Sequence, residues 1–294
     1  MTEMNMRVKP SIVHARVWRV ICLVASLSWG ISSTAAEQKI YRFSPVNQHN
    51  IVLTASYWNP ILAYVSEKSG VALDLKIGRT SADTTAFVLA QEVEFVFTNH
   101  LFSPQREKLG WTVFGRRQTP PLYGQIIVPE GSRITELGQL SGKLVAYPGP
   151  EALVAYKLPA AHLLALDIPT RTVFGGNMDA ALEQLFSGKV AAVGVNAQLA
   201  QGYAKRKGLK YRVLWSSPPL LDLALMVSSK VPEKDKKAVA KAFLEMHLNP
   251  RGREILTHAS AQIGLGPEAY FVESNGAEYA AYRDFYRTAP AFLR

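Results

Sequence analysis

The stretch that decides the fold is KLVAYPGPEALVAYKLP, residues 143–159. Residues 143–147 form a compact apolar run typical of a buried strand, Pro148-Gly149-Pro150 interrupts it, and residues 151–166 continue with apolar residues at helical spacing. In open α/β sheets, ligands bind beyond the carboxyl ends of strands, where a helix start offers unpaired N–H groups. The stretch therefore predicts a strand-to-helix junction beside a ligand site.

Strand and helix patterns alternate on both sides of this junction. The first set predicts strands at residues 40–46, 71–77 and 93–98, with helices at 58–68 and 83–91. The second set predicts strands at residues 143–147, 170–174 and 191–195, with helices at 151–166 and 178–187. Each set is a βαβαβ unit, which requires a parallel sheet, so we expect two similar α/β lobes.

Two extended runs join the lobes, YGQIIVP at residues 123–129 and LLDLALMVS at residues 220–228. We interpret them as the two crossing strands of a hinge. Helical segments at residues 233–248, 251–260 and 277–287 then pack back on the first lobe. The predicted fold is two-lobed α/β, each lobe a mixed, mostly parallel sheet flanked by helices. Lobe one comprises residues 37–121 and 222–294, and lobe two comprises residues 122–221.

Residues 1–36 have the parts of a secretory signal peptide: basic residues, an apolar run at residues 20–31, and small residues at the end. That run is shorter than the roughly 20 apolar residues that span a bilayer, so we predict a cleavable signal and a periplasmic protein. The single cysteine, Cys22, lies in this segment, and Arg19 before it does not fit a lipoprotein signal. The mature chain then has no thiol for a disulfide or a metal.

The chain has 33 Lys and Arg against 23 Asp and Glu, and the mature part keeps 29 against 22, a net charge of about +7. These charges are scattered, and the short basic runs at residues 205–207 and 234–237 are typical of solvated helix surfaces. The composition therefore favours a weak attraction for anions and gives no support for a nucleic-acid partner.

Several short runs, in their order and spacing, resemble one known family. They are ILAYVSEKSG at residues 61–70, VEFVF at 93–97, ITELGQLSGK at 134–143, YKLP at 156–159, AAL at 180–182 and GKVAA at 188–192. With them the mature chain resembles the periplasmic phosphate/phosphite/phosphonate-binding proteins of ABC transporters, the PhnD-like group with the type II periplasmic binding fold. The resemblance implies a monomer without cofactor that captures a small oxyanion by hinge closure and delivers it to an ABC permease.

The chain departs from this family at the anion site. The family holds the phosphonate with a Ser-Thr-Ser-Gly run at a helix start, and the register set by residues 156–159 puts Ala152, Leu153, Val154 and Ala155 there. The family's acidic and aromatic pair becomes Asn196 and Ala197. Glu151 either competes with an anionic ligand at this helix start or simply stabilises the first turn, by about 0.3–1 kcal/mol.

Polar residues after the other predicted strands are further candidates for ligand contact. The group of residues 47–50 either faces the cleft or forms an Asx-type turn, and residues 79–81 either hold an oxyanion or cap the next helix near Asp83. Tyr57 and Trp58 either stack on a ligand or belong to the core. The candidate ligand-binding residues are Asn47, His49, Arg79, Thr80, Ser81, Thr98, Asn99, His100, Tyr123, Gln125, Glu151, Ala152, Asn177 and Asn196.

The residue pattern does not indicate an enzyme. The histidines are spread along the mature chain without metal-ligand spacing, and no nucleophile elbow or P-loop is present, so we expect no catalytic residues and no metal. Two alternatives stay open. The protein either serves a permease or presents its ligand to a membrane sensor kinase, and its ligand is either an oxyanion or a neutral or zwitterionic solute.

Overall fold

The computed structural model describes residues 1–2 and 39–294, so the predicted signal peptide lies almost wholly outside the described residues. Lys39–Arg294 forms one compact unit. Its strands are β1 Ile40–Pro45, β2 Ala72–Leu75, β3 Phe95–Thr98, β4 Trp111–Arg117, β5 Gly124–Pro129, β6 Leu144–Tyr147, β7 Arg171–Phe174, β8 Ala192–Asn196, β9 Tyr211–Ser216, β10 Ala224–Ser228 and β11 Phe271–Val272. Its α-helices are α1 Ile51–Ser69, α2 Asp83–Leu89, α3 Pro104–Glu107, α4 Leu158–Ala165, α5 Met178–Phe186, α6 Ala197–Lys207, α7 Glu233–Leu244, α8 Pro250–Gln262 and α9 Ala280–Thr288. Among the described residues, no helix combines the length and hydrophobicity needed to cross a bilayer.

The strands form two sheets with the same plan. The first has the order β11-β4-β10-β3-β1-β2, and the second has the order β7-β6-β8-β5-β9. In the first, β1 lies parallel to β2 and β3, and in the second, β6 lies parallel to β7 and β8. The two predicted βαβαβ units are therefore confirmed.

The two runs predicted as hinge crossings lie mainly inside the sheets, which is compatible with a hinge at their starts, and the hinge itself stays a prediction. The first run supplies β5, which pairs antiparallel with β8 and β9. The second supplies β10, which pairs antiparallel with β3 and β4. Just before these strands, Leu122 and Leu220 exchange two backbone hydrogen bonds of 2.8 Å, where the chain passes between the sheets. The apolar side chains of the two runs are buried in the sheets, which is why the runs are so hydrophobic.

Strands β4 and β9 are absent from the sequence prediction. Each pairs antiparallel with the strand that enters its sheet from the other half of the chain, β10 for β4 and β5 for β9. Their pairing thus depends on partners 82 or more residues away in sequence. Each strand also contains arginine among its apolar residues, which weakens the local strand pattern.

The helices after β10 pack where they were expected. Helices α7 and α8 lie against α1, and their apolar side chains join the core of the first sheet. Phe43, Trp58, Phe97, Phe243 and Phe271 form a continuous set of ring contacts there. Trp58 is only 4% exposed and belongs to this core, as does the neighbouring Tyr57. Of the two alternatives for these rings, the structure selects the core.

Candidate ligand-binding cleft

A cavity of about 40 Å³ lies between the two sheets. Because about 10–15 Å³ holds one water on this scale, it has room for a few waters or one small ion. Its lining comes from the carboxyl ends of strands in both sheets, where the α/β rule places ligands. The lining residues are Val46, Asn47, Gln48, Ser81, Asn99, His100, Pro148, Ala152, Leu153, Val154, Ala155, Met178, Asn196, Leu199 and Leu223.

The turn after β1 positions Asn47 and begins α1. The Asn47 side chain is fully buried, donates to the carbonyl of Gly78 at 3.0 Å and accepts from Thr54 Oγ1 at 2.8 Å. Asn50 caps α1 by accepting from Leu53 N at 3.0 Å, so this helix begins seven residues before the predicted start. The polar group at residues 47–50 therefore serves both open alternatives, since Asn47 faces the cavity while Asn50 caps the helix.

The turn after β3 carries Asn99 and His100 into the cavity. Thr98 Oγ1 accepts from His100 N at 3.0 Å, which orders the turn, and His100 Nδ1 lies 3.1 Å from Thr85 Oγ1. The His100 ring is only 1% exposed, and this burial lowers its pKa to about 3. At neutral pH the ring is therefore uncharged, and it offers one N–H donor and one acceptor nitrogen.

The strand-to-helix junction faces these turns from the second sheet. The helix was predicted from residue 151, but it begins at Leu153 with a π-helical turn, Leu153–Lys157, and becomes α-helical at Leu158. In this turn Lys157 N donates to Ala152 O at 3.0 Å, five residues back. Pro159 explains the wide turn, because a proline has no N–H and its ring crowds the carbonyl four residues earlier.

Two cross-sheet backbone hydrogen bonds close the edges of the cavity. Ser81 N donates to Gly176 O at 2.8 Å, and Met178 N donates to Gln48 O at 3.3 Å. Asp179 extends this contact, because its carboxylate accepts from Asn50 N and from Arg206 at 3.3 Å and lies 3.6 Å from His49 Nδ1. Burial raises the pKa of Asp179, but these partners outweigh it and the pKa is lowered.

A second charged contact crosses between the sheets beside His100. Arg106, in α3, donates to both carboxylate oxygens of Glu151 and, at 2.8 Å, to the carbonyl of His100. Burial raises the pKa of Glu151, yet the hydrogen bonds from Arg106 outweigh it and hold the pKa below its ordinary value. Lys157 is 3% exposed with its ammonium 4.8 Å from the ring centre of Tyr286, and burial lowers its pKa.

The structure brings together six of the fourteen candidate residues around the cavity: Asn47, Ser81, Asn99, His100, Ala152 and Asn196. Asn196 also caps α6, by accepting from Gln198 N at 3.0 Å.

The other candidates lie off the cavity lining. Arg79 is exposed, Thr80 hydrogen-bonds Asp83, Thr98 orders its own turn, and Asn177 caps α5. His49 and Glu151 make the cross-sheet contacts described above. Tyr123 and Gln125 are half-buried at the start of β5. Asp83 accepts from the backbone N–H groups of Arg79 and Thr80, so the segment at residues 79–81 mainly opens α2.

Sequence reasoning missed much of the lining, which is apolar and carries no motif. Met178, Leu199 and Leu223 read as ordinary core residues and reach the cavity only through the packing of three separate elements. It also missed Arg106 and Lys157. Lys157 stands in the YKLP run, but nothing in that run signals that its ammonium is buried. Arg106 meets Glu151 across 45 residues of sequence, which no local pattern reveals.

Comparison with known proteins places these features in a family context. The family model described as "ABC transporter, phosphonate, periplasmic substrate-binding protein" matches residues 43–266. No curated protein sequence matches the chain.

Solved structures of low sequence identity share the fold. The binding-protein component of an ABC phosphonate transporter from Pseudomonas aeruginosa is 14% identical, with a TM-score of 0.71 over 85% of this chain and 87% of that one. PhnD1 from Prochlorococcus marinus, in complex with methylphosphonate, is 13% identical, with a TM-score of 0.72 over 85% and 98%. The aliphatic sulphonate binding protein SsuA from Escherichia coli is 13% identical, with a TM-score of 0.54 over 85% and 91%. The fold is that of a type II periplasmic binding protein, as predicted.

Proposed function

The chain belongs to the periplasmic phosphonate-binding proteins of ABC transporters, and we propose that its cavity captures a small oxyanion of the phosphate, phosphite or phosphonate class. The observation that carries this proposal is the position and lining of the cavity. It lies at the carboxyl ends of strands from both sheets and is lined by amide, hydroxyl and imidazole groups opposite the start of a helix.

The polar part of the lining suits the oxygen atoms of such a ligand. Ser81, Asn99 and the neutral His100 offer hydrogen-bond donors, and the helix that begins at Leu153 adds N–H groups that have no preceding turn to pair with. A hydrogen bond to a charged oxygen contributes about 1.5–3 kcal/mol. Three or four such bonds support useful affinity even though the family's hydroxyl run is replaced here by residues 152–155.

The apolar part of the lining suits a carbon substituent. Leu153, Val154, Met178, Leu199 and Leu223 bring hydrocarbon to one small cavity. A methyl or other short alkyl group on phosphorus gains about 25 cal/mol for each Å² of apolar surface that it buries. An alkylphosphonate therefore uses more of this lining than inorganic phosphate does.

Capture proceeds by closure of two lobes, residues 37–121 with 222–294 and residues 122–221, around the two passages near Leu122 and Leu220. The cross-sheet contacts of Ser81, Met178 and Glu151 form when the lobes meet. In this proposal the protein is a monomer that binds and releases its ligand without chemical change, and the occupied form is delivered to a permease.

Thermal unfolding and titration calorimetry of the purified protein test the ligand class. The panel contains phosphate, phosphite, methylphosphonate, aminoethylphosphonate, sulfate and small neutral and zwitterionic metabolites. We expect at least one phosphorus oxyanion to raise the unfolding midpoint, since a ligand at 100 times its Kd adds about 2.7 kcal/mol. A rise with a neutral or zwitterionic solute, and with no phosphorus oxyanion, overturns the proposed ligand class.

A matched pair of variants tests the location of the site with the same ligand. Asn99→Ala removes a buried amide from the lining and is expected to weaken binding about tenfold or more. Arg79→Ala removes an exposed cation outside the lining and leaves the affinity unchanged. The reverse pattern places the ligand outside this cavity.

A further inference from the structure

Three charged side chains surround the His100 corner of the cavity, and their charges do not cancel. Arg106 and Lys157 are cations, whereas Glu151 is the single carboxylate among them. Arg106 comes from the segment after β3 in the first sheet, and Glu151 and Lys157 come from the junction after β6 in the second. Glu151 binds Arg106 through both carboxylate oxygens, with both side chains about 20% exposed.

The cavity lies within electrostatic reach of this cluster. The His100 ring lines the cavity and interacts with the charges of Glu151, Arg106 and Lys157, while its backbone carbonyl accepts from Arg106. On the other sheet, the two residues that follow Glu151 also line the cavity. Charges in such partly buried surroundings interact several-fold more strongly than in water. A ligand in the cavity therefore experiences the carboxylate of Glu151.

We propose that Glu151 is a specificity-determining residue that lowers the affinity of the cavity for a doubly charged tetrahedral ligand relative to a singly charged ligand of the same shape. Its carboxylate accepts hydrogen bonds from both terminal nitrogens of the Arg106 guanidinium, which are then not available to the ligand. The same carboxylate repels the second negative charge of the ligand. This inference rests on the proposed function, because it assumes that an oxyanion binds in this cavity.

The test compares two ligands of the same shape and different charge. Methylphosphonate and methanesulfonate each carry one methyl group and three oxygens. At a pH above the second pKa of methylphosphonate, methylphosphonate bears two negative charges and methanesulfonate bears one. Calorimetry at that pH gives the affinity ratio of the two ligands for each variant. In Glu151→Gln we expect the ratio to move toward methylphosphonate by about tenfold, the size of a 1.4 kcal/mol change.

The partner residue gives a prediction of opposite sign. Arg106→Gln leaves the Glu151 carboxylate unpaired, so the ratio moves further toward methanesulfonate. Glu151→Asp keeps the negative charge, so its affinity ratio is closer to that of the unsubstituted protein than the ratio of Glu151→Gln is. Glu67→Gln removes an exposed carboxylate that pairs with Arg251 far from the cavity, and it leaves the ratio unchanged.

A purely structural role of the ion pair gives a different result. If the Arg106–Glu151 pair merely holds the two sheets together, both substitutions weaken both ligands by the same factor, the ratio stays constant, and the inference is overturned. Circular dichroism checks folding, and if Arg106→Gln does not fold, Glu151→Gln against Glu151→Asp decides. If the unsubstituted protein binds neither ligand nor any phosphorus oxyanion, the proposed function itself is wrong.

Discussion

At the scale of single residues, His100 links the site to the stability of the protein. Its ring is buried beside the cavity, and burial lowers its pKa from 6.5 to about 3. Between these values the unfolded chain binds a proton at this ring and the folded protein does not. Above pH 6.5, His100 is neutral in both states and does not change the free energy of unfolding. As the pH falls below 6.5, the unfolded chain takes up the proton and the folded protein loses stability.

His100→Gln is expected to reduce the pH dependence of unfolding. With the histidine present, protonation of this ring in the unfolded chain lowers the free energy of unfolding by about 2 kcal/mol between pH 7 and pH 5. Glutamine does not titrate, so the variant lacks this loss. Urea unfolding of both proteins at the two pH values measures the difference. His258→Gln is the matched control, because His258 is exposed and lies outside the cavity lining. If both proteins lose the same free energy of unfolding between pH 7 and pH 5, His100 is not a neutral, buried ring in the folded protein.

At the scale of elements, the π-helical turn rests directly on two strands of the second sheet. A Cβ at Gly124 in β5 would lie 2.3 Å from the carbonyl oxygen of Val154, and a Cβ at Gly194 in β8 would lie 2.4 Å from that of Ala155. Both glycines therefore permit the turn to approach the sheet closely. This approach places residues 152–155 in the cavity lining.

Gly194→Ala is expected to destabilise the protein by about 1–3 kcal/mol, because the added methyl group overlaps the Ala155 carbonyl and the Tyr147 ring. Urea unfolding measures the change, and ligand affinity should fall as the turn moves out of the lining. Gly138→Ala is the control, since a Cβ there meets nothing within 4 Å. Equal stability of the two variants shows that the turn has room to shift.

At the scale of the whole molecule, the two sheets meet at Ser81 and Gly149. A Cβ built on Gly149 lies 3.8 Å from the Cβ of Ser81, the usual separation across a disulfide. The only cysteine of the chain, Cys22, lies in the predicted signal peptide, so no other thiol of the mature protein competes. A disulfide at this position joins the two sheets at the rim of the cavity.

The double variant Ser81→Cys, Gly149→Cys is expected to form this disulfide under oxidising conditions and to lock the lobes together. Ligand association, followed by stopped-flow fluorescence, should slow at least tenfold in the oxidised form and recover on reduction, because entry requires the lobes to separate. The reduced form of the same protein is the control for steric effects of the two cysteines. Equal association rates in the two forms contradict lobe opening as the entry step.

Much of the fold was predictable because its signals are local. Apolar runs of four to six residues alternate with helical spacing in both halves, and this alternation implies parallel sheets by connection rules alone. The start of the helix after β6 was misplaced by two residues, since the π-helical turn depends on Pro159 and on the close approach of Gly124 and Gly194. The strands β4 and β9 were missed because their partners are supplied by the opposite half of the chain.

Six of the fourteen predicted site residues line the cavity, and most of them are polar residues that follow a predicted strand. Asn47, Asn99 and His100 meet that condition and line the cavity, whereas Arg79 meets it and points into solvent. Position after a strand places a residue at the correct edge of the sheet, but the orientation of its side chain depends on the neighbouring elements. Asp83 accepts hydrogen bonds from the backbone N–H groups of residues 79 and 80, and the Thr85 hydroxyl orients the ring of His100.

The sequence by itself determined the two α/β halves, the family and the loss of the hydroxyl run at residues 152–155, because each of these features depends on short runs of contiguous residues. Only the tertiary structure decided which charges meet. Arg106, Glu151 and Lys157 come from segments that approach each other when the two sheets face across the cavity. Electrostatic energy depends on distance in space and on burial, and neither quantity is encoded in the spacing of residues along the chain.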